Sequence, residues 1–244
     1  MRDFKNFIRG AWVEPHTRKY EDNINPAHTD EVLGRFPASG EEDVQAAIEA
    51  GRDAFTAWSG GPGPERGKIL YRFADLLEQN ADELAEILTK EEGKLLSESK
   101  TSEVLRAVEE TRFMAGEASR LFGDHYASDD TGVDVVRKRV PLGPVGVITP
   151  WNFPVVLPVR KISPAIAYGD TVVFKPATLT PWTGLRLTEL YQEAGVPEGV
   201  LNTVCGRGST VGNAIARSED IKGISFTGST AVGRGLFETC ASSL

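Results

Sequence analysis

The spacing of apolar residues changes character three times along this chain. From Phe7 to Val13 apolar residues flank Arg9-Gly10, which predicts a small hairpin, and a second extended piece covers Glu31 to Phe36. The period then becomes helical. Val44, Ala47, Ile48, Gly51, Phe55 and Trp58 recur at i, i+3 and i+4, behind a Ser39-x-x-Glu42 capping box. Gly60-Gly61-Pro62-Gly63 ends that helix. Pro64 suits the first turn of the next one, where its missing N–H costs nothing, and Leu70, Phe73, Leu76 and Leu77 supply its buried stripe. Asn80 reads as the N-cap of a third helix carrying Leu84, Ile87 and Leu88, closed by Gly93. A long helix follows from about Ser99 to Phe122, with Val104, Ala107, Val108 and Thr111 on one face. Glu91-Glu92 and Glu109-Glu110 read as solvated helix faces.

Beyond a turn at Asp129-Asp130-Thr131-Gly132, the segment Val133–Val140 alternates Val with Arg and Lys, which predicts an exposed or partner-facing strand. From Val145 the texture changes again. Short β-branched runs, Val145–Thr149, Thr171–Lys175, Val200–Val204 and Gly223–Thr227, alternate with helical patterns at about 154–168, 181–194, 209–218 and 229–240. Such alternation predicts βαβ units and a parallel sheet covered on both faces. The fold class is therefore α/β, divided into 1–123 (strands and helices), 124–143 (a hairpin) and 144–244 (a βαβ core). Ligands of such sheets sit at the carboxyl ends of the strands, and Asn152, Lys175, Gly206 and Gly228 each fall near such an end.

Composition narrows the field. The 244 residues hold 40% hydrophobic and 25% charged side chains, which is ordinary for a globular protein. A net charge of −8 argues against a nucleic-acid or anionic-membrane partner. No apolar run is long enough to span a bilayer. Met1-Arg2-Asp3-Phe4-Lys5 lacks the apolar core of a signal peptide, so a cytoplasmic location and no membrane partner are expected. Two distant cysteines make no disulfide framework, and His16, His28 and His125 show no metal-ligand spacing, so no metal is expected.

The chemistry concentrates at the predicted strand ends. In Thr149-Pro150-Trp151-Asn152-Phe153-Pro154, two prolines stiffen the turn, so Asn152 presents a neutral amide donor from a rigid platform, as an oxyanion site requires. The same residue could equally cap the helix at 154–168. Lys175 ends a buried strand, where a lysine can also simply reach out to solvent. Gly206-Arg207-Gly208-Ser209-Thr210-Val211-Gly212 joins a strand to a helix but is not a strict dinucleotide fingerprint; a tight connection would look the same. Gly228-Ser229-Thr230-Ala231-Val232-Gly233 opens the last helix, whose free N–H groups suit a pyrophosphate. Ser229 could also be an ordinary N-cap, and a P-loop is excluded by Arg234-Gly235. Cys205 ends an apolar strand and is expected in the core. Cys240 has no nucleophile context.

Four segments in order, Thr149–Pro154, Phe174-Lys175-Pro176-Ala177-Thr178-Leu179-Thr180-Pro181, Gly195-Val196-Pro197-Glu198-Gly199-Val200-Leu201-Asn202 and Phe226–Gly233, closely resemble the aldehyde dehydrogenase superfamily, and the resemblance runs from Phe7 to the last residue. It implies a Rossmann-like parallel sheet with flanking helices, preceded by a helical segment and small strands. It implies Asn152 as the catalytic oxyanion donor and Lys175 on the adenosine ribose. It implies NADP or NAD held by Ile148, Thr149, Trp151, Lys175, Ala177, Thr178, Gly208, Gly212, Phe226, Gly228, Ser229, Val232 and Gly233. NAD-preferring relatives often carry glutamate at the position of Thr178, whose carboxylate repels a 2′-phosphate. Threonine there implies NADP preference or dual use, unless Thr178 merely caps or packs a loop. Arg160 or Lys161 would select an acidic semialdehyde, or else both are surface charges. The strand pair at 124–143 resembles one that packs between subunits, implying a homo-oligomer.

The chain departs from the family where a Glu-Leu-Gly-Gly-Lys general-base motif is expected just beyond Leu244, with a Gly-Gln-x-Cys nucleophile further on. The expectation is an amino-terminal, cofactor-binding portion, an incomplete aldehyde dehydrogenase-like fold without the catalytic domain and inactive alone. The reaction implied for a complete enzyme is oxidation of an aldehyde to a carboxylic acid through a thiohemiacetal and thioester. The alternatives are a nonenzymatic nucleotide-binding half of a split or truncated enzyme, and a CoA-acylating relative.

Overall fold

The computed structural model describes residues 2–120 and 122–241. Two short strands, β1 (Asn6–Ile8) and β2 (Ala11–Val13), form the expected hairpin on a tight turn in which Arg9 and Gly10 both take positive φ, 53° and 78°. Next come β3 (Tyr20–Ile24) and β4 (Val32–Pro37), a separate antiparallel pair. Three helices follow: α1 (Glu41–Gly60), α2 (Gly63–Gln79) and α3 (Ala81–Glu92). A short α4 (Leu96–Glu98) runs through a π-helical stretch, Ser99–Leu105, into α5 (Arg106–Glu117). The hairpin β5 (Gly123–Ala127) and β6 (Asp134–Lys138) stands apart. The remainder alternates: β7 (Pro144–Ile148), α6 (Val156–Tyr168), β8 (Thr171–Lys175), α7 (Pro181–Glu193), β9 (Leu201–Thr203), a π turn at Gly208–Gly212, α8 (Asn213–Arg217), β10 (Gly223–Phe226) and α9 (Thr230–Ala241).

The main sheet has the order β10-β7-β8-β9-β1-β2. Four strands are parallel, and the β1–β2 hairpin adds an antiparallel edge beside β9 through Phe7 and Thr203. Alternation along each strand divides the core into two layers. Val145, Val147, Val172 and Phe174 face α2, α3, α5, α6 and α7, while Ile148, Val173 and Val204 face α1, α8 and α9. Burying each such side chain contributes about 1.5–3 kcal/mol.

The structure corrects several expectations. The first capping box lies one residue later. Gly40 is the N-cap and its N–H donates to the Asp43 carboxylate at 3.0 Å. Ser39 is instead buried, accepting a hydrogen bond from Asn6 at 2.8 Å. The strand Tyr20–Ile24 had no clear apolar alternation, because only Asn23 of its five residues is buried. The long helix ends at Glu117, before Phe122, and widens to a π-helix over Ser99–Leu105. Glu91 and Glu92 are not solvated: Glu91 is 4% exposed, and its carboxylate caps α7 by accepting from the Trp182 and Thr183 amides at 2.8 and 2.7 Å. Burial nevertheless pushes the Glu91 carboxyl up to about 7.

Among the described residues, no helix is long and apolar enough to cross a membrane.

Candidate nucleotide and aldehyde site

Register brings the strand ends level. Ile148 pairs with Lys175 on one side and with Phe226 on the other. From β7 the chain steps outward through β8 to β9, then crosses back to β10 on the far side of β7. The ends of β7 and β10 therefore flank the point where strand order reverses, the usual place for a ligand in such sheets. The Thr149 N–H reaches Lys175 O at 3.4 Å, and the Thr227 N–H reaches Ile148 O at 3.1 Å.

Asn152 lies exposed in the turn between β7 and α6. It does not cap that helix. The N-cap is Val155, and the amides of Val155 and Val156 donate to the Glu103 carboxylate at 3.1 and 3.4 Å. Phe153 beside it lines a groove of about 730 Å³ with Thr101, Leu105, Arg106, Leu157 and Arg160. Arg160 is held on that groove by two hydrogen bonds to Glu110, which also receives Arg106 at 3.1 Å. Lys161 points elsewhere, since one residue turns a helix about 100°. Its half-buried ammonium donates to Ser225 on β10 at 3.1 Å, and burial lowers its pKa.

Lys175 is 3% exposed, and among the described residues one of its three ammonium hydrogens is bonded, to Pro176 O at 2.9 Å. Desolvation pulls its pKa from 10.5 down to about 8. A buried cation with so few partners carries a desolvation cost that hydrogen-bond acceptors would offset. Gly212 lies over the stem of this side chain, where a Cβ would sit 3.9 Å from Lys175 and 3.8 Å from Ile148. Ala177 is buried, while Thr178 is exposed and donates to Gly206 O at 3.3 Å. Gly206 takes a φ of 150°, and a Cβ there would meet Val211 at 2.7 Å, so this connection needs glycine. Gly208 opens the next turn onto free space.

On the other side of β7, Phe226, Thr227, Gly228, Ser229, Gly233 and Arg234 line a cavity of about 550 Å³ at the start of α9. Gly228 and Gly233 lie against the Phe226 ring, where added Cβ atoms would come within 2.4 and 3.2 Å of it. Ser229 acts as an N-cap, its hydroxyl accepting from the Val232 N–H at 3.3 Å. Trp151 and Val232 are half exposed. A level row of strand ends, a starved ammonium and a glycine-lined helix start fit an extended dinucleotide.

Several residues here were not expected from the sequence. Lys94 donates to Asn152 O at 2.9 Å and pairs with the fully buried Glu103. Arg207 pairs with Glu21 at 2.8 Å beside Thr178 and Gly206. Glu91 was detectable, because it continues the i, i+3, i+4, i+7 stripe of Leu84, Ile87 and Leu88. Glu103 also falls at helical spacing, four residues before Ala107 and eight before Thr111, both buried. Cys205 is buried and its thiol is pushed up to about 12, which leaves it inert at neutral pH. Among the described residues, no group of three or more His, Cys, Asp and Glu could hold a metal ion.

The Aldehyde dehydrogenase family model matches residues 12–244. The alpha-ketoglutaric semialdehyde dehydrogenase of Bacillus subtilis (strain 168) is 43% identical over 231 residues, covering 95% of this chain and 47% of that protein. An E. coli NADP dependent enzyme superposes with a TM-score of 0.96 at 37% identity, over 99% of this chain and 50% of its own. The NAD-dependent aldehyde dehydrogenase of Sinorhizobium meliloti gives a TM-score of 0.96 at 34% identity, over 100% and 48% respectively. The chain thus spans about half the length of the relatives it matches.

Proposed function

The chain belongs to the aldehyde dehydrogenase family, and from that premise we propose that it serves the NAD(P)-dependent oxidation of an aldehyde, with an oxo-acid semialdehyde as substrate. The observation that carries this reading is the level set of strand ends that puts the Asn152 turn, Lys175 and the start of α9 on one edge of the sheet. A bound nicotinamide nucleotide would supply the hydride acceptor. The chain's own residues would bind and orient. Lys175 would donate its spare hydrogens to the ribose. The free amides at the start of α9 would face the pyrophosphate. Gly208 and Gly212 would leave room for close approach. The Asn152 carboxamide would donate to the oxygen of the substrate carbonyl as negative charge builds there. The experiment is oxidation of α-ketoglutaric semialdehyde by the whole protein with each nucleotide; no turnover with any aldehyde would overturn the reading.

The groove beside Phe153 supports an acidic substrate. Arg160 and Arg106 share one carboxylate, Glu110, in a groove that Glu109 also lines. A substrate carboxylate would compete with Glu110 for the Arg160 guanidinium. Arg160→Ala is expected to raise KM for a carboxylated semialdehyde about 10- to 100-fold, the effect of losing a charge-assisted hydrogen bond. KM for an uncharged alkanal of equal length should stay within about twofold, since it never engages the guanidinium. Equal losses for both substrates would remove Arg160 from this role.

Nucleotide choice follows from Thr178. Its exposed hydroxyl stands where a carboxylate would repel a 2′-phosphate, and Arg207 lies beside it, paired to Glu21 in a surface salt bridge. Such exposed pairs contribute little, so a phosphate could displace Glu21. The reading is preference for NADP or use of both nucleotides. Thr178→Glu is expected to cut kcat/KM for NADP at least about 30-fold by like-charge repulsion while sparing NAD. Steady-state kinetics with both nucleotides decides it, and an unchanged ratio counts against the assignment.

The β5–β6 hairpin supports assembly into a homo-oligomer. It is a two-stranded ribbon exposing Tyr126, Val135 and Val136, with Val140 and Leu142 just beyond. An isolated hairpin of this kind is marginal in water, and a second copy of the protein would cover it.

A further inference from the structure

A buried ion cluster lies behind the Thr149–Pro154 turn. Lys94 and Glu103 line neither the groove beside Phe153 nor the cavity at the start of α9. Lys94 follows Gly93, whose φ of 83° ends α3 and swings the chain toward the turn. The Lys94 ammonium pairs with Glu103 and lies 3.3 Å from Glu92. It donates to Asn152 O at 2.9 Å and stands 4.3 Å from the centre of the Phe153 ring. The second oxygen of Glu103 accepts the amides of Val155 and Val156. Side-chain exposure is 14% for Lys94 and 0% for Glu103.

These bonds hold the middle of the turn and the start of the helix behind it. Lys94 fixes the carbonyl on one side of the Asn152–Phe153 peptide, and Glu103 fixes the first amides of α6. Glu103 faces inward from the π stretch Ser99–Leu105, on the face it shares with the buried Ala107 and Thr111. Removing two charges from water is costly, and apolar side chains of similar volume usually stabilise a core as well. What an apolar pair could not do is hold a carbonyl and two amides in fixed directions.

We infer that Lys94 and Glu103 are positioning residues that hold the Asn152 turn in its working geometry. The inference rests on the role proposed for Asn152. Displacing a reacting group by about 1 Å can cost about 100-fold in rate, so a loosened turn should be visible in kcat.

The test uses Lys94→Met, Lys94→Arg and Glu103→Gln in the whole protein. Lys94→Met is expected to lower kcat about 10- to 100-fold at saturating nucleotide, with nucleotide Kd within about twofold of wild type. Lys94→Arg, which can still reach both Asn152 O and Glu103, should restore most of the loss. In an Asn152→Ala background, Lys94→Met should cost less than about twofold, since the donor it positions is gone. An equal loss in both backgrounds, or a parallel loss of nucleotide binding, would mean a merely structural role and overturn the inference. If the wild type turns over no aldehyde, the proposed function fails by itself. Amide exchange then decides the inference. Exchange at Val155 and Val156 should quicken in Lys94→Met and Glu103→Gln by more than the fall in global stability accounts for, and exchange that only tracks global unfolding would overturn it.

Discussion

Asn152→Ala is expected to lower kcat of the whole protein by about 100- to 1000-fold, the usual loss when one oxyanion donor is removed. KM for the nucleotide should hardly move, because Asn152 sits in the turn after β7, beyond the strand ends that would carry the dinucleotide. The folding midpoint should also stay put. Asn152 is exposed, and α6 takes its cap from Glu103. This combination separates the two readings open from sequence. A helix cap would cost about 1 kcal/mol of stability when replaced by alanine, and an oxyanion donor would cost rate. Asn152→Asp should be as damaging as alanine, because a carboxylate repels the developing negative charge. Single-turnover kinetics together with thermal unfolding checks both halves. A kcat within a few-fold of wild type would remove Asn152 from the chemistry.

Lys175→Met is expected to weaken nucleotide binding about 10- to 100-fold, the effect of losing charge-assisted hydrogen bonds. The same substitution should make the protein more stable. Burial lowers the Lys175 pKa from 10.5 to about 8. Between those values the unfolded chain holds more protons than the folded one, so wild-type stability rises as pH climbs from about 8 to 10.5. Below pH 8 the folded protein carries the full penalty of a charged group out of water. Methionine removes it, a gain on the order of 3 kcal/mol at pH 7 that fades toward pH 10.5. Urea unfolding at both pH values tests the sign. Nucleotide affinity of the wild type should fall as pH passes about 8, while that of the methionine variant stays flat. A variant that binds nucleotide as well as wild type, or loses stability at neutral pH, would contradict this account. On the proposed role of Lys175, function is set against stability: the ammonium is short of partners in the core, and a bound nucleotide would supply them.

Much of this was legible along the chain. The strands at Val145–Thr149 and Thr171–Lys175 announce themselves because both faces are buried, which demands continuous β-branched residues. The Arg9-Gly10 turn and the Gly93 helix end read correctly because local backbone preferences fix them. The β3–β4 pair was half missed, since only Asn23 in β3 is buried and no alternation marks it. Glu91 and Glu92 were misread as solvated, although Glu91 continues the Leu84–Leu88 stripe. Glu91 closes on α7, about ninety residues later, and Glu92 pairs with Lys94, two residues on.

The sequence by itself determined the layered α/β architecture, the alternation of strands and helices from Val145 onward, and the family. Apolar period and turn chemistry are properties of neighbours along the chain. Only the tertiary structure decided that Arg160 and not Lys161 faces the groove, that Asn152 is released from capping by Glu103, and that Lys94 grips the Asn152 carbonyl. Each of these is a contact between segments tens of residues apart. Its energy depends on distance and burial, which the order of residues alone does not fix.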